Sequence, residues 1–298
     1  MRQPSLPPEP QPAAPPVALP VPGGVGVLAR ARALGRLARD AALAPVYRVY
    51  AAHLRAEILS HPVPQHVALI MDGNRRWARE LGFREIMAGH SHGAEKAVEL
   101  LDWCSSLGIR EVTLWALSLE NLERSAEEVE AITEIARHTL DALAERDRVR
   151  RMDMTLQVIG RRDLLPERLR EAAERGEAET RGRPGLRVTL ALGYSGRDEL
   201  VEAARSAVRA LVADGVPSDE LAEALTADRL ADQLYTRGSS DPDLIIRTSG
   251  EVRLSGFLPW QSAYSEFYFC EAYWPAFREI DLLRAIRTYQ QRARRFGR

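Results

Sequence analysis

Six short apolar runs, each of strand length, recur along this chain with helix-like stretches between them, and few architectures accept that order. The runs fall at His66–Met71, Glu111–Leu117, Met154–Ile159, Leu186–Leu192, Leu244–Arg247 and Glu266–Cys270. Between the first two, Ala94, Ala97, Val98, Leu101 and Cys104 recur at i, i+3, i+4 spacing, which is one face of an amphipathic helix. Further helices are expected over Ala126–Arg146, Pro166–Thr180, Arg197–Ala213 and Ile280–Arg294. Parallel strands need crossovers of a dozen or more residues, and helical crossovers cover both sheet faces. The expected fold is therefore α/β, a single domain with a mainly parallel six-stranded sheet surrounded by helices, over residues 61–298.

Two N-terminal segments lie outside that pattern. Residues 1–24 are dense in proline and read as a disordered tail. Residues 25–60 form an amphipathic helical arm in which Leu28, Leu34, Leu37, Val46, Val49 and Leu54 are interleaved with arginines, and Pro45 divides it into two helices. Such an arm suits packing on the domain, and its basic amphipathic face also suits peripheral contact with a membrane.

The chain's 298 residues are enough to bury roughly 75% of the unfolded surface and still leave a deep cavity. Lys and Arg total 41 against 42 Asp and Glu, a formal net charge of -1, so no overall basic field points to nucleic acid. Any anion site must be local. Cys104 and Cys270 sit in apolar stretches and read as reduced core residues, which favours the cytosol. No run reaches the roughly 18 apolar residues of a membrane span, and the N-terminus lacks the pattern of a secretory signal.

In a parallel α/β sheet, ligands bind beyond the carboxyl ends of the strands. "MDGNRRW" leaves its strand on Asp72, Gly73 permits an unusual backbone angle, and Asn74 precedes the paired cations Arg75 and Arg76. A carboxylate beside arginines suits a metal-bound phosphate, with Asp72 on Mg2+ and the guanidiniums on the anion. The same residues would equally serve a capped turn with a structural ion pair. "IIRTSGEVRLSGF" supplies Arg247, Thr248, Ser249, Arg253 and Ser255 with two glycines, a second anion site. "ALSLENLER" offers Ser118, Glu120, Asn121 and Arg124 beyond an apolar strand, while Glu120 and Asn121 could as well cap a helix. "LGYSGRDE" could cradle phosphate through Gly193 and Gly196, but a strand-to-helix turn needs the same glycines, and that reading is preferred. Two anion sites at strand ends imply two anionic substrates or one long one. There is no phosphate-binding G-x-x-x-x-G-K-[ST] loop, no zinc-ligand spacing around His90 and His92, and no evident histidine partner for either cysteine.

These motifs resemble the cis-prenyltransferases, the Z-isoprenyl diphosphate synthases that include undecaprenyl diphosphate synthase. The likeness runs from about Val46 to the C-terminus through "HVALIMDGNRRWA", "LWALSLENLER", "LGYSGRDEL", "DPDLIIRTSGEVRLSGFLPWQSAYSEFYF" and "WPAF". It implies a homodimer, an elongated hydrophobic tunnel, and condensation of isopentenyl diphosphate with an allylic diphosphate, geranyl or farnesyl, to form a cis double bond. It implies Mg2+ held by Asp72 and Glu266. Asp72 and Asn121 match the catalytic positions, the latter a participant in proton removal. Gly73, Asn74, Arg75, Arg76, Trp77, Arg84 and His90 match the allylic-diphosphate region, and Ser118, Leu119, Glu120, Leu122 and Arg124 the next substrate segment. Arg247, Arg253, Leu254 and Ser255 match the isopentenyl-diphosphate site. Arg295 and Gly297 match a C-terminal R-x-G motif that reaches a partner's site. The DDxxD motif of trans-type synthases does not occur.

Three features depart from the pattern of the family that the chain resembles. Arg75 stands where many members have glycine, "GFREIMAG" is one residue longer than usual, and Leu122 replaces a common aromatic. "DGNRRWA", "ENL" and "RLSGFLPWQSAYSE" look closest to short-chain Z-farnesyl diphosphate synthases. Ala116 is small where a bulky residue would block elongation, so a longer polyprenyl product is the alternative. A non-catalytic subunit of a heteromer is the rival from another class, and retention of Asp72, Asn121, Arg247, Arg253 and Glu266 speaks against it.

Overall fold

A computed structural model describes residues 49–82 and 87–296. A helix over 49–59 (α1) precedes β1 (His66–Ile70), α2 (Asn74–Glu80), α3 (Met87–Ser106) and β2 (Glu111–Trp115). A 3-10 turn over Leu119–Glu123 leads to α4 (Ala126–Leu143), α5 (Arg146–Met152), β3 (Thr155–Ile159), α6 (Glu167–Thr180) and β4 (Arg187–Ala191). There follow α7 (Gly196–Ala213), the short α8 (Leu221–Ala224) and α9 (Ala227–Ala231), β5 (Leu244–Arg247), β6 (Glu266–Phe269) and α10 (Glu279–Phe296).

All six strands pair in parallel in the order β3-β4-β2-β1-β5-β6. The central strand explains why: every residue of β1 is buried. Val67 and Leu69 face one core with Leu100, Leu140 and Leu283, whereas Ala68 and Ile70 face another with Tyr194, Ile245 and Phe257. A strand apolar on both faces has no wet side, so helices must cover both. The end of the predicted arm is part of this packing. Leu54 and Ile58 of α1 are fully buried, Arg55 pairs with Glu279 at 2.8 Å, and Gln290 of α10 donates to the Ile58 carbonyl at 3.0 Å. Pro45 and residues 1–48 lie outside the described residues.

Four of the six strands end one or two residues before their apolar runs do. Met71, Leu117, Leu192 and Cys270 stay apolar but leave the ladder as the chain turns, with Asp72 N–H already bonded back to the Ile70 carbonyl at 3.0 Å. The helix expected over Ala126–Arg146 is two helices. Ala144 and Glu145 depart from helical angles, and Arg148 donates to the Ala142 carbonyl, giving the end of α4 a partner without a glycine or proline.

Candidate active site

Asp72 and Arg247 belong to motifs about 175 residues apart, and the sheet order brings them together. β1 and β5 are neighbours with Ile70 opposite Arg247, so Asp72, two residues past Ile70, lies just beyond the arginine. Arg247 Nη2 donates to Asp72 Oδ2 at 2.9 Å, and its Nη1 donates to Ser255 Oγ at 2.8 Å and to the Arg253 carbonyl. The Arg247 side chain is only 5% exposed, whereas that of Asp72 is 31% exposed and open to a cavity. The Thr248 hydroxyl locks the two strand ends, accepting from Asp72 N–H at 2.9 Å and donating to the Asp72 carbonyl at 2.7 Å.

From Asp72 the chain turns through Gly73 at φ 102 into α2. A Cβ there would lie 2.6 Å from the Tyr273 ring, so both the angle and the contact require glycine. The first turn of α2 presents its arginines differently. Arg76 reaches Ser249 Oγ at 2.7 Å, Glu251 at 3.1 Å and Asp72 at 3.5 Å, and lies over the Tyr273 ring. Arg75 swings to α4 and pairs with Glu128 at 2.9 Å. Ser249 and Ser255 adopt φ 83 and φ 53, left-handed conformations that serine seldom takes and that set both side chains against guanidiniums.

A cavity of about 660 Å³ opens on this cluster, lined by Asp72, Gly73, Asn74, Arg75, Arg76, Arg79, Ser118, Asn121, Arg124, Arg247 and Ser255, with Ile70, Met71, Trp115 and Ala116 as its apolar wall. Five arginines thus face one carboxylate, an arrangement fitted to a polyanion. Burial would raise the Asp72 pKa, but hydrogen bonds from Arg247 and Ser249 and the charges of Arg247 and Arg76 outweigh it and hold the carboxyl below its ordinary value. Asp72 is therefore ionised at neutral pH. An apolar pocket of about 40 Å³ adjoins the cavity through Met71, Asn74 and Ala116 and extends between α3 and α4 past Ala97, Ile132 and Ala136. The elongated tunnel implied by the family resemblance is not seen among the described residues.

Several expected site residues stand apart from the cavity lining. Trp77 packs its ring on His92 at 5.0 Å, Leu122 packs on the core, and Leu254 packs near Tyr194 and Phe257. Leu119 bonds through its N–H to the Tyr194 carbonyl, Glu120 is exposed, and the Arg253 side chain, 62% exposed, pairs with Glu251. Glu266 begins β6 opposite Leu244, at the amino end of the strands, where Arg292 holds it at 2.8 Å. Within one chain it is not brought to Asp72. Arg84, Gly297 and the side chains of His90 and Arg295 lie outside the described residues.

The sequence reading missed Arg79 and Trp115 as cavity residues. Arg79 follows Arg75 by one helical turn, a spacing that carries meaning only once α2 is known to be a helix. Trp115 stacks on Phe257 at 5.1 Å and meets Tyr194 edge-on at 6.2 Å, a rigid wall that an apolar strand residue does not announce. "LGYSGRDE" proves to be a packed turn. A Cβ on Gly196 would lie 2.1 Å from the Pro259 ring, and its glutamate, Glu199, is fully buried beneath Tyr194.

A parallel sheet with an arginine-lined cavity at its strand ends defines an α/β protein built to receive a polyanion, and comparison with known proteins gives its class. Residues 70–297 match the undecaprenyl diphosphate synthase family of prenyltransferases, and the chain belongs to that family. It is 50% identical over 253 residues to a (2Z,6E)-farnesyl diphosphate synthase of Thermobifida fusca, covering 85% of this chain and 97% of that one. An isoprenyl transferase of Thermus thermophilus is 47% identical over 254 residues, 85% of this chain and 96% of the relative. A geranylgeranyl-diphosphate-specific tritrans,polycis-undecaprenyl-diphosphate synthase of Methanopyrus kandleri is 44% identical over 263 residues, covering 88% and 95%. The crystal structure of lavandulyl diphosphate synthase from Lavandula x intermedia with dimethylallyl diphosphate superposes with a TM-score of 0.71 at 35% identity, covering 76% of this chain and 95% of that one.

Proposed function

We propose that this protein condenses isopentenyl diphosphate with an allylic prenyl diphosphate, geranyl or farnesyl, to give a Z-prenyl diphosphate and free diphosphate. The observation that carries this reading is the Asp72–Arg247 pair at the head of a cavity lined by five arginines and continued by an apolar pocket. A charged head and a greasy tail need those two environments in that order.

The donor set suits Mg2+. Asp72 is the one carboxylate lining the cavity among the described residues, and no group of three His, Cys, Asp or Glu side chains forms a protein cage there. Mg2+ commonly takes one or two carboxylates and completes its shell with substrate phosphate and water. Asp72 would hold it, and the bound ion would neutralise charge on the departing diphosphate. The protein's own groups do the remainder. Arg76 and Asn74 hold the allylic diphosphate as its C–O bond breaks, while Arg247 and Ser255 fix isopentenyl diphosphate so that its double bond forms the new C–C bond. Asn121, which accepts from Ser118 Oγ at 3.1 Å, would take part as the adduct loses a proton.

The small apolar pocket and the farnesyl-forming relative support a short product, (2Z,6E)-farnesyl diphosphate. One observation favours a longer chain: Ala116, at the junction of the two cavities, offers little obstruction. A homodimer is supported by β6, an edge strand whose Phe267, Tyr268 and Phe269 are only partly buried next to Tyr264, 97% exposed. Among the described residues only β5 pairs with it, and monomers seldom leave such an edge without a second partner. No described helix is long and apolar enough to cross a membrane. Of the arm over residues 25–60, through which membrane contact would run, residues 25–48 lie outside the described residues.

The test is incubation of purified protein with labelled isopentenyl diphosphate and geranyl or farnesyl diphosphate, with and without Mg2+, followed by chromatography of the dephosphorylated products. Elongated product that needs Mg2+ is expected. Its absence with both primers would refute the enzymatic reading and favour a non-catalytic subunit.

A further inference from the structure

Arg75 lies in the first turn of α2 and Arg124 in the bend between the 3-10 turn and α4, yet both line the cavity and both turn to one residue. Glu128, in the first turn of α4, meets Arg75 through Oε1 at 2.9 Å and Arg124 through Oε2 at 3.8 Å. The carboxylate itself does not line the cavity. It stands behind the two cations, which are held by adjacent oxygens of one group. Guanidiniums that close repel each other and carry much rotamer freedom, so neither would hold this position unaided. Of the other cavity arginines, Arg76 is anchored by Ser249 and Glu251, and Arg247 by Asp72 and Ser255.

We propose that Glu128 is a positioning residue that converges Arg75 and Arg124 into a two-arginine clamp for the diphosphate of the allylic primer. This rests on the prenyltransferase reading and assigns a role to the arginine that the chain carries where glycine is common. The pair also ties α2 to α4, the two helices that carry Asn74 and Ile132 of the adjoining apolar pocket. The clamp thus sits where the primer's charged head must be registered against its tail.

Glu128→Gln, Arg75→Gln and the double variant separate this from a solvated surface pair. All three groups are a third or more exposed, side chains 37%, 33% and 41% for Arg75, Arg124 and Glu128, so the effect is modest. Glu128→Gln is expected to raise the KM for geranyl diphosphate about two- to five-fold and leave kcat within about two-fold, the size of an exposed ion pair. The KM for isopentenyl diphosphate should hold, and the affinity for inorganic diphosphate, by calorimetry, should weaken in parallel. The double variant should fall short of the sum of the two single effects, because the Arg75–Glu128 contact is counted in both, yet be somewhat worse than Arg75→Gln alone, because the hold on Arg124 is lost as well. An unchanged or lowered primer KM in a variant that melts normally, or additive effects in the double variant, would overturn the clamp. If the wild type forms no elongated product, the enzymatic reading fails instead, and the diphosphate calorimetry still decides the clamp.

Discussion

The loops that follow β1 and β4 have the same outline, a strand, a left-handed glycine, then a helix, and they use a carboxylate in opposite ways. Beyond β1, Asp72 is ionised, held by arginines and open to a cavity. Beyond β4, Glu199 is fully buried. It accepts from Tyr194 OH at 2.6 Å, Tyr235 N–H at 2.9 Å and Gln261 Nε2 at 3.2 Å, and burial lifts its pKa above the ordinary value although those bonds pull the other way. The difference lies in what surrounds each acid. Arginines favour charge at Asp72 and leave room for a ligand, whereas neutral donors and apolar walls make Glu199 a fastener between α7 and the segment carrying Ser255 and Phe257. Proximity to a strand end therefore does not make an acid catalytic. Cationic neighbours and an open side are what set Asp72 apart.

The sharpest break would come at Asp72. Asp72→Asn keeps an oxygen for Arg247 and removes the charge that a metal needs. We expect kcat to fall by about 10²–10³-fold or more, the scale of removing one electrostatic contact at a reacting centre, in a variant that still folds but melts lower because Arg247 loses its charged partner. Activity within ten-fold of wild type would return Asp72 to the status of a turn residue. Glu199→Gln should reverse the pattern. One of the donors around it loses its acceptor, at a cost of about 1–3 kcal/mol, while the folded variant keeps most of its turnover at 25 °C. A full melting temperature with lost turnover would show that the β4 end takes part in turnover.

How much of this the sequence disclosed follows from which interactions are local. Strand positions emerged within two residues, and β5 with no error, because burial on both faces writes a continuous apolar run. That Asp72 meets Arg247 was visible only as two motifs at strand ends. Their contact depends on β1 and β5 being neighbours, which no local pattern states. The helix α2 escaped notice because it is entered through Gly73 with no side-chain cap, so none of the usual start signals is present, and Arg79 was lost with it. Glu128 reads in sequence as an acid suited to a helix N-terminal turn. Its tie to Arg75, 53 residues away, is tertiary.

The smallest expected effect concerns pH and tests the contrast from the buried side. Because the folded pKa of Glu199 is raised, its favourable contribution is fully present below the ordinary value of 4.5 and is lost as pH rises through the folded pKa. His66 behaves oppositely. Burial lowers its pKa below 6.5, with Nδ1 against the Ser240 carbonyl at 2.7 Å and Nε2 against Thr113 Oγ1 at 2.8 Å, so its contribution is present above 6.5 and is lost as pH falls through the folded pKa. Since Glu199→Gln leaves His66 intact, the difference in melting temperature between wild type and variant isolates the glutamate. That difference should be widest near pH 4 and narrow towards pH 7, by about 2–4 °C for each kcal/mol of burial penalty. Asp72, with its pKa lowered, predicts the opposite slope for Asp72→Asn, a wild-type advantage that shrinks as pH falls below 3.8. If the Glu199 difference instead widens with pH, the three donors outweigh burial, and the two loops hold their carboxylates in the same charged state.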